Sequence, residues 1–303
     1  MSDYCEIPGA PLGDWTTFRL GGPCRRLLDC PTPEAVIAAV RALADAREPF
    51  RLMGGGSNLL VADAGLGETV VRFVEPEPRI TCDDGLIVAG GGTALDELAR
   101  WCVENGWAGL TFASGIPGTV GGGLVGNAGA FGEQLADRLE SVTWLAADGT
   151  VVERPRAAIR FSYRASTLED ERGVALAARW RLPSGDRYAL RAERETRRTF
   201  RRARHPDWRV TPCAGSFFRN VEPTSRAGPR QAAGWFLEKA GARSMTEGGA
   251  AVFPGHANII IRARPDGTAR DVARLARRMA DAVREKFGLT LRPEVRYWGA
   301  VES

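Results

Sequence analysis

The chain has 303 residues, of which 44% are hydrophobic and 26% charged, and its formal net charge at pH 7 is +4. This length predicts two or three subdomains, and this balance excludes a chain that is disordered throughout. The net charge is small for such a length, and nearly all of the basic residues are arginines.

The amino-terminal fifteen residues have an acidic residue at position 3 and no apolar core of the length that a signal peptide requires, so they do not resemble one. No apolar run approaches the ~18 residues that a membrane-spanning helix requires. The six cysteines include no C-x-x-C pair, and the chain has two histidines, so no metal site is expected. We therefore expect a cytoplasmic protein with reduced thiols and no membrane partner.

The hydrophobic patterns predict helices and strands along the whole chain. In chain order these are a helix over 31–48, strands on both sides of a glycine loop within 50–63, strands over 69–74 and 85–91, a helix over 93–106, a hairpin over 141–153, a strand over 174–182, a helix over 187–204, an apolar strand over 258–261, a helix over 270–288 and a final strand within 291–299. Thr32 and Thr93 are the predicted N-caps of the first two helices, and Asp148 and Gly149 the predicted hairpin turn. This mixture of predicted helices and strands indicates the α+β class, and a domain boundary is expected near residues 183–190.

Three glycine-dense segments fall within eighty residues, namely 54–58 (GGGSN), 89–93 (AGGGT) and 114–132 (SGIPGTVGGGLVGNAGAFG). The first is not a P-loop, because no Gly-Lys-Ser/Thr follows it. It is not a dinucleotide fingerprint either, because the residues after it look like a strand. It could be an ordinary turn, or an anion-binding turn in which Ser57 and Asn58 add donors.

The longest glycine-dense segment interleaves its glycines with apolar residues, which a flexible linker would not do. It could be a tightly packed loop of the core. It could instead be a backbone pressed against a flat, phosphate-bearing ligand, with Thr119 and Asn127 as side-chain partners. The second interpretation is favoured.

Three distant polar residues could carry chemistry. Arg164 follows Tyr163 in FSYRAS, Ser216 lies in CAGSFFRN, and Glu294 lies in LRPEVR. Ser216 is not in a G-x-S-x-G elbow, and two histidines give a Ser-His-Asp triad little support. Taken singly, each of these residues is more often part of a turn or a solvated surface.

Eight motifs, in this order, resemble one family, the bacterial UDP-N-acetylenolpyruvoylglucosamine reductases, also called UDP-N-acetylmuramate dehydrogenases. They are TTFRLGGP (16–23), GGGSNLLV (54–61), SGIPGTVGG with GNAGAFG (114–132), FSYRAS (161–166), AGSFFRN (214–220), AAGWFLEKAG (232–241), GHANIII (255–261) and LRPEVR (291–296). Together they extend over nearly the whole chain. The short connections resemble the family's second type, which lacks an extra loop over the substrate.

The resemblance implies an α+β fold with a two-subdomain FAD-binding region of the PCMH type and a C-terminal α+β substrate-binding domain. The implied domains are 1–80 and 81–186 for FAD and 187–303 for substrate. NADPH would reduce the flavin, and hydride would then add to the enolpyruvyl C3 of UDP-N-acetylglucosamine enolpyruvate. The product would be UDP-N-acetylmuramate, a peptidoglycan precursor needed for cell wall, cell shape and cell division. A monomer is expected.

The matching motifs also imply roles for single residues. Arg164 corresponds to the family's active-site arginine, Ser216 to its proton donor and Glu294 to its active-site glutamate. Hydride addition at C3 leaves a carbanion at C2, so a fixed guanidinium can stabilise the charge and a hydroxyl can supply the proton. The implied FAD-binding residues are Gly54, Gly55, Gly56, Ser57, Asn58, Leu59, Ser114, Gly115, Ile116, Gly118, Thr119, Gly122, Gly123, Asn127 and Ala128. The implied substrate-binding residues are Tyr163, Arg219, Asn220, His256 and Asn258, for which core or turn packing is an equal alternative.

Some positions depart from the family's pattern. Phe131 stands where tyrosine is common, Arg219 where lysine is common, Val221 where proline is usual, and Phe253 with Pro254 where a small hydroxyl residue is typical. A paralogous flavin reductase that acts on a related enolpyruvyl or nucleotide-sugar compound is therefore the main alternative.

Two further alternatives belong to other classes. One is a flavin-dependent alcohol or aldehyde oxidase, which would not need the arginine, serine and glutamate of three distant segments. The other is a nucleic-acid-binding protein built around the arginine-rich stretch 187–204. The glutamates and apolar residues in that stretch favour a solvated amphipathic helix instead, so no nucleic-acid partner is expected.

Overall fold

The computed structural model describes residues 4–221 and 231–301. Within these ranges the helices are α1 Pro33–Asp45, α2 Leu95–Glu104, α3 Val120–Val125, α4 Arg187–Arg204, α5 Ala233–Lys239 and α6 Ala269–Phe287. The strands are β1 Cys5–Pro8, β2 Cys24–Cys30, β3 Phe50–Met53, β4 Leu59–Val61, β5 Leu66–Phe73, β6 Ile80–Asp83, β7 Leu86–Gly90, β8 Gly129–Ala130, β9 Glu133–Gln134, β10 Leu139–Leu145, β11 Val151–Pro155, β12 Phe161–Ser162, β13 Ala165–Ser166, β14 Val174–Arg181, β15 Cys213–Ser216, β16 Thr246–Glu247, β17 Ala250–Val252, β18 Ile259–Arg262 and β19 Arg296–Trp298. This mixture confirms the expected α+β class.

The chain forms two compact units, each assembled from separate stretches of sequence. The first unit takes the described residues up to Ala10 together with Arg25–Gly55 and Glu68–Arg201. The second takes Pro11–Cys24, Gly56–Gly67 and the described residues from Arg202 onward. The division into 1–80, 81–186 and 187–303 stays a prediction, because the two units group residues by proximity in space and not by consecutive sequence.

The first unit contains two main sheets. One has the strand order β1-β2-β5-β3, and the other, which is antiparallel, has the order β11-β10-β14-β7-β6. The predicted hairpin is confirmed as β10 and β11, with the N–H of Gly149 donating to the carbonyl of Ala146 at 3.0 Å. The side chains of Trp144 and Trp180 are fully buried beside α2 and α3, which places the core of this unit between the sheet and those helices.

The two predicted N-caps have different outcomes. Thr32 caps α1 as expected, because its side chain accepts a hydrogen bond from the N–H of Ala35 at 3.1 Å. The prediction that Thr93 caps α2 is wrong, since α2 begins after Ala94 and has no side-chain cap. The hydroxyl of Thr93 instead donates to the buried carboxylate of Glu75 at 3.0 Å.

The buried carboxyl of Glu75 makes folding stability depend on pH. Burial raises the pKa of Glu75, although the hydrogen bond from Thr93 and the charge of Arg79 favour the ionised form. A carboxyl with a raised pKa holds its proton more tightly in the folded chain. The stability that the protonated carboxyl of Glu75 contributes is therefore lost as the pH rises from the ordinary glutamate pKa of about 4.3 through the raised pKa of Glu75.

We expect Glu75→Gln, which cannot ionise, to gain stability relative to the wild type as the pH rises from about 4 to about 7. The difference in the free energy of unfolding, measured by urea titration across this range, checks the prediction. A difference that does not vary with pH would contradict it.

The second unit has a four-stranded antiparallel sheet in the order β15-β18-β17-β16, and β4 pairs in parallel with β19. The long helix α6 begins with a capping box between Thr268 and Asp271 and ends at Gly288, whose φ is +67°. Apolar residues of α5 and α6 pack with those of the sheet, and Leu60 of β4 joins the same buried cluster. The predicted helix 270–288 and the strand 258–261 are both confirmed within one residue at each end.

The arginine-rich stretch forms the predicted helix α4, in which only Leu190 and Arg194 are buried. The segment 114–132 contains the short helix α3, which the glycine content did not predict. No helix in the described part of the chain is long and apolar enough to cross a membrane. Residues 4–221 and 231–301 also contain no group of three or more histidine, cysteine or acidic side chains placed to hold a metal ion.

Candidate active site

Two of the glycine-dense segments meet in the first unit. A Cβ at Gly54 would overlap the hydroxyl oxygen of Thr119, and a Cβ at Gly55 would lie 3.2 Å from the Cα of Gly118. Side chains on these glycines would separate the two segments, so only glycine permits this approach. The backbones of Gly54, Gly55 and Gly118 therefore lie close together, with the hydroxyl of Thr119 beside Gly54. This surface, here called the cradle, is lined mainly by backbone, as a backbone-bound cofactor requires.

The turn from Ser114 to Gly118 borders this cradle. Ser114 is fully buried, whereas Ile116 is half-buried. Gly115 and Gly118 have φ values of +74° and +115°, which L-residues with side chains rarely adopt. The carbonyl of Gly118 accepts a hydrogen bond from the N–H of Leu95 at 3.0 Å, so this end of the turn is tied to the start of α2.

Helix α3 shows that part of the glycine-dense segment 114–132 is packed in the core of the first unit. The N–H of Gly122 donates to the hydroxyl of Thr119 at 3.3 Å, and the N–H of Gly123 to its carbonyl at 2.8 Å. A Cβ at Gly123 would lie 2.9 Å from a methyl carbon of Leu135 and 3.0 Å from one of Leu95. Tight packing is therefore enough to explain Gly123, while its assignment and that of Gly122 to FAD binding stay predictions.

Asn127 uses its side chain to hold the following loop. It is fully buried, and its amide nitrogen donates to the side-chain oxygen of Gln134 and to the carbonyl of Ser162, both at 2.9 Å. Its amide oxygen accepts from the N–H of Ala136 at 3.3 Å. A hydrogen bond donated by this amide nitrogen to a cofactor would displace one of these two donated bonds. The next residue, Ala128, is half-buried.

Arg164 lies in a two-residue turn between β12 and β13. Its φ is +57°, a conformation that costs about 1–3 kcal/mol in a residue other than glycine and that recurs at functional sites. The guanidinium donates to the carbonyl of Gly129 at 2.7 Å, and its central carbon lies 5.0 Å from the centre of the Tyr163 ring. The first unit thus holds the arginine in a defined place beside the glycine-rich segment.

The turn that starts at Gly56 belongs to the second unit. Gly56 has a φ of +61°, and a Cβ on it would overlap the carbonyl oxygen of Trp15. Its carbonyl accepts from the N–H of Thr17 at 3.2 Å. The hydroxyl of Thr17 lies 3.4 Å from the carbonyl of Ser57 and 2.8 Å from that of Cys213. The turn is therefore packed against its own unit.

Asn58 and Leu59 tie this turn to the C-terminal strand. The side-chain amide of Asn58 donates to the carbonyl of Glu294 at 3.0 Å, and its own carbonyl accepts from the N–H of Arg296 at the same distance. Leu59 opens β4, where it pairs with Arg296. The predicted cofactor residue Asn58 and the predicted catalytic residue Glu294 are thus hydrogen-bonded to each other.

Ser216 and Glu294 stand on two segments of the second unit that are hydrogen-bonded to each other. The pairing of β15 with β18 shifts between Cys213 and Ser216, and Gly215 has a φ of +73°. Such irregularities redirect the side chain that follows. The N–H of Glu294 donates to the carbonyl of Phe217 at 2.8 Å, which brings the two segments together. Within 4–221 and 231–301 the Ser216 hydroxyl has no hydrogen-bond partner.

Asn258 holds the segment after Ser216. It is 2% exposed, its amide oxygen accepts from the N–H of Phe218 at 2.9 Å, and its amide nitrogen donates to the carbonyl of Phe218 at 2.8 Å. Its carbonyl also accepts from the N–H of Phe217 at 2.7 Å. These bonds favour a positioning role for Asn258, whose contact with substrate stays a prediction.

We expect Asn258→Ala to lower the free energy of unfolding by about 2–4 kcal/mol, because the polar groups of Phe218 would be left unpaired in the interior. Chemical unfolding followed by circular dichroism measures the change. Asn105→Ala, at an asparagine whose side chain bonds to the carbonyl of Trp101 at an exposed site, is the control and should lose far less. Equal losses in the two variants would contradict the prediction.

His256 is neutral under ordinary conditions. Burial, together with the positive charges of Arg204 and Arg243, lowers the pKa of His256 below its ordinary value. Its Nδ1 accepts from the N–H of Asn258 at 3.1 Å, which leaves the proton on Nε2. His256 can therefore donate one hydrogen bond through Nε2.

Arg219 and Asn220 stand at the end of the same segment. The N–H of Arg219 donates to the carbonyl of Arg292 at 2.9 Å, and its Nε is buried with no hydrogen-bond partner in the described chain. The side chain of Asn220 accepts from the N–H of Ala233 at 3.2 Å, at the start of α5. Their substrate contacts stay predictions.

Sequence reasoning missed several residues that order these elements. Asp96 and Arg194 hold the turn after Ser114, and Gln134 holds Asn127. All three residues stand outside the eight motifs. The partners of Asp96 and Arg194 are distant in sequence, whereas the partner of Gln134 is close. A local pattern therefore gives no signal for them.

Comparison with known proteins identifies both parts of the chain. Residues 25–154 match the family profile described as FAD binding domain. Residues 205–298 match the profile described as UDP-N-acetylenolpyruvoylglucosamine reductase, C-terminal domain. The expected FAD-binding region and the family's C-terminal domain are thereby confirmed.

The similarity to individual relatives extends over the full length. A UDP-N-acetylenolpyruvoylglucosamine reductase of Gloeobacter violaceus is 37% identical over 99% of this chain and 98% of its own. One from Anoxybacillus flavithermus is 34% identical over 94% of this chain and 91% of its own. The crystal structure of UDP-N-acetylenolpyruvylglucosamine reductase (MurB) from Thermus caldophilus superposes with a TM-score of 0.79 at 29% identity, covering 98% of this chain and 99% of that one.

Proposed function

The chain belongs to the UDP-N-acetylenolpyruvoylglucosamine reductase family, and on that premise we propose that it reduces UDP-N-acetylglucosamine enolpyruvate to UDP-N-acetylmuramate, with FAD as cofactor and NADPH as reductant. The observation that carries the proposal is the similarity to such reductases over essentially the whole chain. The activity is an oxidoreduction that yields a peptidoglycan precursor. The partners are small molecules, and the expected location is the cytoplasm.

The cradle of the first unit fits an FAD cofactor. Gly54 and Gly55 carry no side chains where they meet the hydroxyl of Thr119 and the backbone of Gly118, so a ligand there would be held mainly by backbone groups. When bound, FAD supplies the hydride chemistry, and the protein supplies orientation and electrostatics. We assign the cradle and the turn 114–119 to FAD.

Arg164 would stabilise the charge that develops on the substrate. Hydride addition at C3 places negative charge on C2 and its carboxylate, and a guanidinium is charged at every relevant pH. The hydrogen bond to Gly129 holds the side chain before the reaction, so little reorganisation is needed when the charge appears.

Ser216 would donate the proton that C2 requires. An alcohol is a weak acid, but a carbanion is basic enough to take its proton. The absence of a protein partner for this hydroxyl in the described chain supports that role. Glu294, hydrogen-bonded through its backbone to Phe217 and Asn58, would orient the substrate beside Ser216.

The test begins with the visible spectrum of the purified protein. NADPH oxidation is then followed with and without UDP-N-acetylglucosamine enolpyruvate, and NADH serves as the control for the reductant. A flavin spectrum with substrate-dependent NADPH oxidation is expected. A flavin spectrum without such turnover would favour a paralogous reductase, and a colourless protein with salt-sensitive nucleic-acid binding would contradict the proposal.

A further inference from the structure

The turn 115–118 in the first unit is tied at both ends to the first turn of α2. At one end the N–H of Gly115 donates to the carboxylate of Asp96 at 2.8 Å. At the other end the N–H of Leu95 donates to the carbonyl of Gly118 at 3.0 Å. Two consecutive residues of one helix therefore determine where the turn begins and ends.

Helix α4 holds the same turn from a second direction. One guanidinium nitrogen of Arg194 lies 2.8 Å from the carboxylate of Asp96 and 2.8 Å from the hydroxyl of Ser114. Arg194 is 8% exposed and Ser114 is fully buried. Two turns further along α4, Arg201 donates through Nε to the carbonyl of Gly115 at 3.1 Å. Charged side chains thus hold both the hydroxyl of Ser114 and the backbone of Gly115, while the N–H of Ser114 donates to the carbonyl of Thr111 at 3.1 Å.

These contacts depend on the charge of Asp96. Its partial burial would raise the pKa, but the bonds from Arg194 and Gly115 outweigh burial and lower it below the ordinary value. The carboxylate also lies in the first turn of α2, where the helix dipole favours negative charge. Asp96 is therefore ionised at neutral pH, and its two partners lose charge-assisted bonds if it is replaced.

The turn needs such external support. Gly115 and Gly118 both have positive φ values, and glycine gains much conformational freedom when it is released. Gly118 is also the residue whose Cα packs on Gly55 in the cradle. A displacement of the turn would therefore change the cradle directly.

We propose that Asp96 and Arg194 are positioning residues that set the affinity for FAD by holding the turn 115–118 in its cofactor-binding conformation. The inference rests on the proposed function in one respect, the assignment of FAD to this turn. Neither residue needs to touch the cofactor, because each acts through Ser114 or Gly115.

The experiment compares FAD binding to the apo forms of the wild type, Arg194→Met, Arg194→Lys and Asp96→Asn by flavin fluorescence titration. Loss of one or two charge-assisted hydrogen bonds predicts a dissociation constant about 10- to 100-fold higher for Arg194→Met and Asp96→Asn. Lysine keeps the charge but cannot copy the planar donor geometry, so Arg194→Lys should recover part of the affinity. The circular dichroism of the bound flavin should change in the same variants.

Arg100→Met provides a matched control on α2. Arg100 forms ion pairs with Glu97 and Glu104 at 2.6 and 2.9 Å, all three side chains being exposed. Exposed ion pairs contribute little to stability, and within the described residues Arg100 has no hydrogen bond or ion pair with the turn, so FAD affinity should stay within about twofold of the wild type. Ser114→Ala removes only the hydroxyl that accepts from Arg194, and it is the variant to use if Arg194→Met does not fold.

Three outcomes overturn one claim or the other. Unchanged FAD affinity in Asp96→Asn and in the foldable Arg194 or Ser114 variant would overturn the inference. A lowered melting temperature of these variants with unchanged affinity would do the same, since it would show a purely structural role. A wild-type protein that binds no FAD would overturn the proposed function itself.

Discussion

Ser216→Ala is expected to slow the reoxidation of reduced flavin by the enolpyruvyl substrate about 100- to 10,000-fold, the range for loss of a positioned proton donor. Reduction of the flavin by NADPH should continue at the wild-type rate, because no proton is delivered to the substrate in that half-reaction. Stopped-flow absorbance at the flavin's visible band measures both half-reactions separately.

Two further variants sharpen this test. Ser216→Cys replaces the hydroxyl by a more acidic thiol, so part of the reoxidation rate should return. Ser244→Ala removes another hydroxyl of the second unit, one that donates to the carbonyl of Gly241 at an exposed site, and should change neither half-reaction. An equal loss of both half-reactions in Ser216→Ala would refute the proton-donor role.

The second large effect is expected at Gly56. Its φ of +61° disfavours alanine, and the added Cβ would also overlap the backbone carbonyl of Trp15, which cannot rotate away. Backbone strain of about 1–2 kcal/mol and crowding of about 1–3 kcal/mol together predict a loss of about 2–5 kcal/mol in the free energy of unfolding. Urea titration of Gly56→Ala gives this value.

Gly9 provides a control with the same backbone conformation. Its φ is also +61°, but nothing lies within 4 Å of the position that a Cβ would take. Gly9→Ala should therefore lose only the backbone part, about 1–2 kcal/mol. If the two variants lose the same amount, crowding against Trp15 plays no part and the explanation for the glycine at position 56 is wrong.

The main helices and several strands could be predicted because their signals are local, whereas α3, α5, β2 and β15 were not predicted. Thr32 caps α1 through a residue three positions away, and Gly288 ends α6 with a positive φ. The error at Thr93 shows the limit of such signals. Its hydroxyl is bonded to Glu75, eighteen positions earlier, and the helix starts without it.

The family could also be predicted, because eight short motifs stand in a fixed order, and the candidate residues were taken from those motifs. Which atoms remain available to a ligand could not be predicted. Asn127 and Asn258 stand in motifs and were assigned to FAD and substrate, yet each has its side-chain amide bonded to protein groups. Ser216, from the same kind of pattern, keeps a hydroxyl without a partner in the described chain.

The sequence by itself determined the main helices, several strands, the family and the positions at which chemistry is expected, since each of these signals lies within one helix, strand or motif. Tertiary structure alone decided which polar groups are already occupied and which residues hold the turn 115–118. The physical reason is the distance along the chain. Ser114 and Arg194 are 80 positions apart, and Asn258 and Phe218 are 40 apart, so these bonds exist only once the chain has folded.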